Sequence, residues 1–156
     1  MVCTANNLLG IPPEFMRAGR FDEIFFVDLP NKEQRREVIS VLLERKSRKP
    51  ENFDLDPIIA SSDNYSPAEI EKGINNAMFV AYAEQREVIT KDVVSELGKF
   101  KPLYESRKEE IQEMRDWALG ENGVGGRARL ANSTIAVKTF AYKDNDRAVD
   151  ISEEDL

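Results

Sequence analysis

The sequence contains no histidine and a single cysteine, Cys3, among its 156 residues. Without histidine, the chain lacks the side chain that most often acts as a general base or metal ligand near neutral pH. A Ser/His/Asp triad, a Cys/His pair and a histidine-containing zinc site are therefore excluded, and we predict no metal site formed by this chain alone. One cysteine cannot form an intramolecular disulfide, which favours a reducing compartment such as the cytoplasm.

Long apolar segments are also missing from the sequence. No apolar run approaches the roughly 18 residues of a membrane-spanning helix, and no basic N-terminal segment leads into an apolar stretch as in a secretory signal. Acidic residues outnumber basic ones by 29 to 22, so the net charge is −7. Such a chain has no general electrostatic reason to bind nucleic acid or an anionic membrane, and we predict neither as a partner.

A phosphate-binding loop of the form Gly-x-x-x-x-Gly-Lys-Ser/Thr occurs nowhere in the chain. The glycine-rich stretch Gly123-Val124-Gly125-Gly126 neither follows a predicted strand nor ends in Lys-Ser/Thr, so it is interpreted as a linker. The adjacent carboxylates Glu109 and Glu110 lack an apolar setting and are interpreted as a solvated surface. The chain therefore offers neither a phosphate cradle nor a paired acid and base.

Two short apolar segments near the N-terminus are predicted to form strands. Residues 1–5 are compatible with the end of a buried strand. The apolar run from Ile24 to Val27, closed by Pro30, predicts a strand of a parallel sheet covered on both faces. Because two strands cannot close a sheet by themselves, we expect further strands upstream and interpret Met1 as an internal methionine of a longer reading frame.

Helical spacing of apolar residues begins after Pro30 and continues to about residue 119. Asn31 with Gln34 forms a capping-box pattern, and Ser66-Pro67-Ala68-Glu69 is the clearest helix start in the chain. Further helices are predicted from about Pro57 to Ser61, from a cap at Thr90, and from about Glu105 to Leu119. Residues 120–156 predict a largely flexible tail with a weak strand-like run around Ile135 to Phe140.

Thr4-Ala5-Asn6-Asn7, followed by Ile11-Pro12-Pro13-Glu14-Phe15-Met16-Arg17-Ala18-Gly19-Arg20-Phe21-Asp22, resembles the signature of AAA ATPases. In that family a strand ends in a polar residue called sensor 1, and a short helix with an Arg-x-Gly-Arg-Phe-Asp pattern follows. The segment after Pro30 resembles the C-terminal helical lid of the family. Within it, the chain is similar to the cyanobacterial and plastid-encoded AAA proteins, which adds the plastid stroma as a possible location.

The resemblance implies an α/β fragment followed by an all-α lid. Residues 1–30 would form the C-terminal end of a P-loop NTPase core, with two strands, and residues 31–119 a lid of four to five helices. Residues 120–156 stay a flexible tail.

Arg17 and Arg20 fall on the two arginine-finger positions of the family. The resemblance implies that they face the nucleotide of a neighbouring subunit in a ring. An arginine stays protonated and presents a planar fork of donors to phosphate oxygens, which suits that role. The alternative is a pair of surface arginines that form salt bridges with Glu14, Asp22 or Glu23.

Asn6 falls on the sensor 1 position. Its amide can both donate and accept a hydrogen bond, so it could orient the attacking water beside a γ-phosphate. The alternative is an asparagine that caps the following turn.

Ser66-Pro67-Ala68-Glu69 matches a lid segment that usually reads Ser-Gly-Ala-Asp or Ser-Gly-Ala-Glu. In the family the small residues let the start of the helix approach adenine, so Pro67 and Ala68 are predicted to contact the nucleotide. Pro67 departs from the usual glycine, adding bulk and removing an N–H group. Leu42 is a second departure, at a position where many members carry a histidine. The alternative for the segment is an ordinary helix cap.

The functional prediction is the C-terminal half of an AAA+ ATPase, which uses ATP and Mg²⁺ in the full assembly. Because the phosphate-binding loop and the acidic strand end are absent, we expect no ATP hydrolysis and no bound cofactor in the isolated chain. The predicted partners are identical or different AAA+ ring neighbours and an unidentified protein substrate. The alternatives are a non-catalytic subunit that donates Arg17 and Arg20 to a partner ATPase, and a helical interaction module.

Overall fold

The computed structural model describes residues 3–5, 14, 23–120 and 126–131. Within these residues the chain forms two short strands, six α-helices and one turn of 3-10 helix at Pro50–Asn52. The strands are β1 (Phe25–Phe26) and β2 (Arg129–Leu130). The helices are α1 (Lys32–Arg45), α2 (Leu55–Ser61), α3 (Pro67–Ala83), α4 (Thr90–Leu97), α5 (Leu103–Ser106) and α6 (Lys108–Leu119).

Helices α1 to α4 pack around one apolar core, which we call the helical bundle. Its fully buried aliphatic side chains are Ile39, Leu43, Ile58, Ile59, Ile70, Ile74, Val93 and Leu97. Removal of this surface from water is the main favourable contribution to folding of the bundle. Tyr65 is buried beside them, and its hydroxyl donates to the Leu97 carbonyl at 2.9 Å, so its polar atom keeps a partner.

The capping box predicted at the start of α1 is confirmed. The Asn31 side-chain oxygen accepts from the Gln34 N–H at 2.9 Å, and the Gln34 side-chain oxygen accepts from the Asn31 N–H at 2.9 Å. Two main-chain donors that the helix itself cannot satisfy are thereby paired. The helix ends at Arg45, well before Pro50.

The start of α4 differs from the prediction that Thr90 is its cap. The helix begins at Thr90, and the carboxylate of Asp92 accepts from the Ile89 N–H at 3.0 Å instead. The Thr90 hydroxyl accepts from the Asp54 N–H at 2.9 Å, which joins α4 to the start of α2. The Thr90 hydroxyl, which the local sequence pattern assigns to capping, is therefore used in a tertiary contact with Asp54 instead.

The predicted strand end in residues 1–5 is wrong for Cys3, Thr4 and Ala5, which are exposed and belong to no strand. The second predicted strand forms as β1, but the prediction that both of its faces are covered is wrong. Phe25 is 58 % exposed and Val27 is 74 % exposed. Within the described residues the sheet has only two strands, and these two side chains lie mostly in solvent.

The partner of β1 is β2, which the sequence did not predict. The two strands are parallel, with Phe25 opposite Arg129 and Phe26 opposite Leu130. The predicted strand-like run from Ile135 to Phe140 lies outside the described residues. The single helix predicted from Glu105 to Leu119 is interrupted at Arg107, which separates α5 from α6. The division of the chain at residues 30 and 119 stays a prediction.

Candidate functional site

Three of the five predicted site residues, Asn6, Arg17 and Arg20, lie outside the described residues. The other two, Pro67 and Ala68, form the first turn of α3, and both are exposed. The candidate site is therefore the start of α3 together with the elements that surround it. Leu42, at the position where the family often carries histidine, is buried in the core of the bundle and does not reach this surface.

A capping box fixes the backbone at the start of α3. The Ser66 hydroxyl oxygen accepts from the Glu69 N–H at 3.4 Å. One carboxylate oxygen of Glu69 accepts from the Ser66 N–H at 2.8 Å and from the Ser66 hydroxyl at 2.7 Å. Pro67 has no N–H and its fixed φ suits the first helical position. Within the described part of the chain, the Ala68 N–H is the first-turn donor left without an acceptor.

The other carboxylate oxygen of Glu69 reaches outside α3. It accepts from the Leu103 N–H at 2.7 Å, at the first residue of α5. The short helix α5 is thereby held beside the start of α3. Sequence analysis missed this link because Leu103 follows Glu69 by 34 residues and no local pattern pairs them.

Burial by itself would raise the pKa of Glu69, but the hydrogen bonds from Ser66 and Leu103 and the charge of Lys72 outweigh it. The pKa of the carboxyl is therefore lowered from its ordinary value. A carboxyl group with a lowered pKa stabilises the fold above its unfolded-state pKa. That contribution is lost as pH falls through the lower, folded-state pKa.

We expect Glu69→Gln to lower the free energy of unfolding at pH 7 by about 0.5–1.5 kcal/mol, because a neutral amide oxygen can still close the capping box but makes weaker hydrogen bonds to Ser66 and Leu103 than a carboxylate does. The difference from the parent should shrink as pH falls below the ordinary carboxyl pKa of about 4.3 and then through the lowered pKa of the folded Glu69. Urea unfolding followed by circular dichroism at pH 7 and pH 3.5 measures both values. Glu37→Gln, at an exposed position of α1, is the matched control and should change neither value by more than about 0.5 kcal/mol. An equal loss for Glu69→Gln at both pH values would contradict the assignment.

An open cavity of about 460 Å³ lies next to the start of α3. Its lining combines apolar and charged side chains: Glu69, Lys72, Phe100, Lys101, Pro102, Leu103, Glu105 and Ser106. The Lys72 ammonium stands 5.0 Å from the centre of the Phe100 ring, within cation–π range. No group of three or more potential metal ligands occurs among the described residues. None of the described helices is both long and apolar enough to cross a membrane.

Comparison with known proteins identifies relatives of the chain. Over 133 residues it is 38 % identical to an uncharacterized AAA domain-containing protein ycf46 from Guillardia theta, a match covering 85 % of this chain and 25 % of that protein. Over 135 residues it is 37 % identical to the protein of the same name from Pyropia yezoensis, covering 86 % of this chain and 26 % of that protein. This chain is related to the AAA domain-containing proteins of the ycf46 type.

A more distant AAA+ relative is the ATP-dependent zinc metalloprotease FtsH 2 of Sphaerobacter thermophilus. It is 29 % identical over 151 residues, which cover 95 % of this chain and 23 % of that protein. The chain thus spans about a quarter of the length of the AAA+ relatives that it matches. No protein-family model and no solved structure matches the chain.

Proposed function

We propose that the chain is the C-terminal half of an AAA+ ATPase, which carries the arginine-finger segment and the helical lid of an ATP-hydrolysing ring. The observation that carries the proposal is the identity of 38 % with an AAA-domain protein over 85 % of the chain. The fold is compatible with it, because four helices pack as one bundle directly after a short parallel strand.

The start of α3 supports a contact with the adenine of ATP rather than with its phosphates. The helix dipole at this end is already offset by the carboxylate of Glu69, so a phosphate would meet a like charge. What remains available is the exposed ring of Pro67 and the Ala68 N–H, for which the described part of the chain provides no acceptor. These offer one apolar surface and one hydrogen-bond donor, which suit the edge of a neutral purine.

The remaining roles follow the resemblance. Asn6 would orient the attacking water, and Arg17 and Arg20 would stabilise the charge that develops on the transferred phosphoryl group of a neighbouring subunit. ATP and Mg²⁺ would then be bound chiefly by a phosphate-binding loop supplied outside these 156 residues. The partners would be AAA+ ring neighbours and a protein substrate, and the location would be the cytoplasm or the plastid stroma.

A graft into a longer relative tests the proposal. The matching quarter of the Guillardia theta ycf46 protein is replaced by this chain, and ATP turnover is compared with that of the parent and of a variant from which the quarter is deleted. We expect turnover within about tenfold of the parent for the graft, and none above background for the deletion. A graft that folds and assembles as the parent does but has no turnover would overturn the proposal.

A further inference from the structure

Residues 27–31, which join β1 to α1 and which we call the linker, are held by an arginine from a distant part of the chain. The guanidinium of Arg115, on α6, donates to both carboxylate oxygens of Asp28, with N–O distances of 2.8, 2.9 and 3.0 Å. About three quarters of each side chain is removed from solvent. A bidentate, partly buried pair of this kind constrains direction as well as distance, so Asp28 is fixed relative to α6.

A second arginine holds the same linker from the side of the bundle. Arg35, on α1, is buried, and its guanidinium donates to the Pro30 carbonyl at 3.1 Å. The same group pairs with Asp63, in the loop between α2 and α3, at 3.1 Å. The linker is thus held by α1 at one residue and by α6 at another.

Main-chain hydrogen bonds join β1 to the end of the described chain. The Arg129 N–H donates to the Ile24 carbonyl at 2.9 Å, and the Ala131 N–H donates to the Phe26 carbonyl at 2.8 Å. The side chain of Arg129 also pairs with Glu23 at 2.9 Å. These contacts attach β2 to β1 without involving the linker.

Residues 103–120 and 126–131, which we call the return segment, are in turn attached to the bundle. The bond from the Leu103 N–H to Glu69 holds α5 on α3. The guanidinium of Arg115 lies 5.6 Å from the centre of the Tyr104 ring, so the side chain that binds Asp28 also contacts α5. Helix α6 also contacts β2, so the bundle, α5, α6, β2 and β1 form a closed circuit of contacts.

We infer that the return segment is a strap that fixes β1 to the helical bundle, so that the two move as one rigid body. A linker of a few residues between a strand and a helix would by itself allow the bundle to swing. Here the contacts of Arg115, the contacts of Arg35 and the β1–β2 pairing all bridge the linker. Each of these interactions must break before the linker bends. The inference concerns only the described residues and does not depend on ATP hydrolysis.

A substitution at Gly126 can disturb the return segment without changing any residue of the linker. A Cβ atom at this position would lie 2.3 Å from the Leu119 carbonyl carbon and 2.4 Å from the Ala118 carbonyl oxygen. Both are backbone atoms, so Gly126→Ala must displace the chain at residue 126 from the end of α6. The three atoms nearest to this Cβ all belong to Ala118 and Leu119 at the end of α6, so the substitution acts on the return segment.

Amide hydrogen exchange of the full 156-residue chain tests the strap. We expect protected Arg129 and Ala131 amides in the parent, and an increase in their exchange of about tenfold or more in Arg115→Gln and in Gly126→Ala. The Ile74 and Ala77 amides in α3 should keep their parent rates. Arg107→Gln, which removes an exposed ion pair with Glu110 beside α6, is the control and should leave Arg129 and Ala131 protected. Unprotected Arg129 and Ala131 amides in the parent would overturn the inference.

A distance measurement distinguishes a β1 that is rigidly attached to the helical bundle from a β1 that only pairs with β2. Spin labels at Phe25→Cys on β1 and Lys91→Cys on α4, in a Cys3→Ser background, should give one narrow distance distribution by pulsed electron resonance. Arg115→Gln and Gly126→Ala should broaden it. A broad distribution in the background chain, or an unchanged one in both variants, would contradict the strap. A variant whose α3 amides also lose protection from exchange has unfolded. In that case the distance distribution of the background chain alone tests the strap.

Discussion

Replacing Arg17 by alanine is expected to lower the ATP turnover of the grafted AAA+ ring by about 10³-fold or more, with little change in ATP binding. The proposed role of Arg17 is to stabilise charge that appears in the transition state on the nucleotide of the next subunit. An interaction made only at that stage affects the rate of hydrolysis and not the affinity for the ground state. Arg20→Ala is expected to act in the same direction.

The measurement is steady-state ATP turnover together with the dissociation constant of a fluorescent ATP analogue. Arg36→Ala is the matched control, because Arg36 is an exposed arginine whose side chain pairs with Asp56 on the bundle surface. It should leave turnover within about twofold of the parent. Equal turnover for Arg17→Ala and Arg36→Ala, in rings of unchanged size, would remove the arginine-finger assignment and favour the surface salt bridges considered from the sequence.

The second large effect is expected at Gly73, where α3 and α4 touch. A Cβ atom there would stand 2.5 Å from the Leu97 Cδ2 atom and 2.9 Å from its Cγ atom. Leu97 is fully buried, so it has no open space into which it can move. The strain of overpacking, about 1–3 kcal/mol, exceeds the gain of about 1 kcal/mol from replacing glycine inside a helix. We expect Gly73→Ala to lower the free energy of unfolding by up to about 2 kcal/mol, the difference between these two effects.

Gly98→Ala is the matched control and should have the opposite sign. Gly98 has helical backbone angles at the end of α4, and a Cβ atom would make ordinary contacts of 3.5 Å or more. The same glycine-to-alanine change should therefore raise the free energy of unfolding by about 0.4–1 kcal/mol, since it restricts the unfolded chain. Urea unfolding of the two variants at pH 7 measures both effects. Destabilisation of the same size at both positions would show that the α3–α4 contact is looser than described.

The features of the fold that the sequence predicted are the local ones. A capping box joins residues three positions apart, so Asn31 with Gln34 and Ser66 with Glu69 are visible as short patterns. The inward face of α3 follows from the spacing of Ile70, Ile74 and neighbouring apolar residues. Both kinds of signal depend on one segment at a time.

The contacts that the sequence did not predict join distant segments. Asp28 and Arg115 are 87 residues apart, and nothing in either neighbourhood specifies the other. The same holds for Glu69 with Leu103, and for β2, whose two residues are too few to show the alternation of a strand. The error at β1 has a related cause, since an apolar run indicates burial but not which segment provides it.

The candidate site was predicted by resemblance more than by pattern. Pro67 and Ala68 lie at the exposed start of a helix, where the prediction placed them, but contact with a nucleotide stays a proposal. Asn6, Arg17 and Arg20 also stay predictions, since they lie outside the described residues. The local chemistry of an arginine or an asparagine does not determine its role, because each has an ordinary surface alternative.

The pairing of β2 with β1 also bears on solubility. An uncovered strand edge with apolar neighbours is a template for pairing with other chains. The exposed side chains of Phe25 on β1 and of Val27 just after it stand beside such an edge, and β2 occupies one side of the strand. A chain cut at the end of α6 would lose that cover while keeping the bundle intact. We therefore expect the few residues after α6 to limit intermolecular pairing at this strand edge, a role that is independent of any nucleotide.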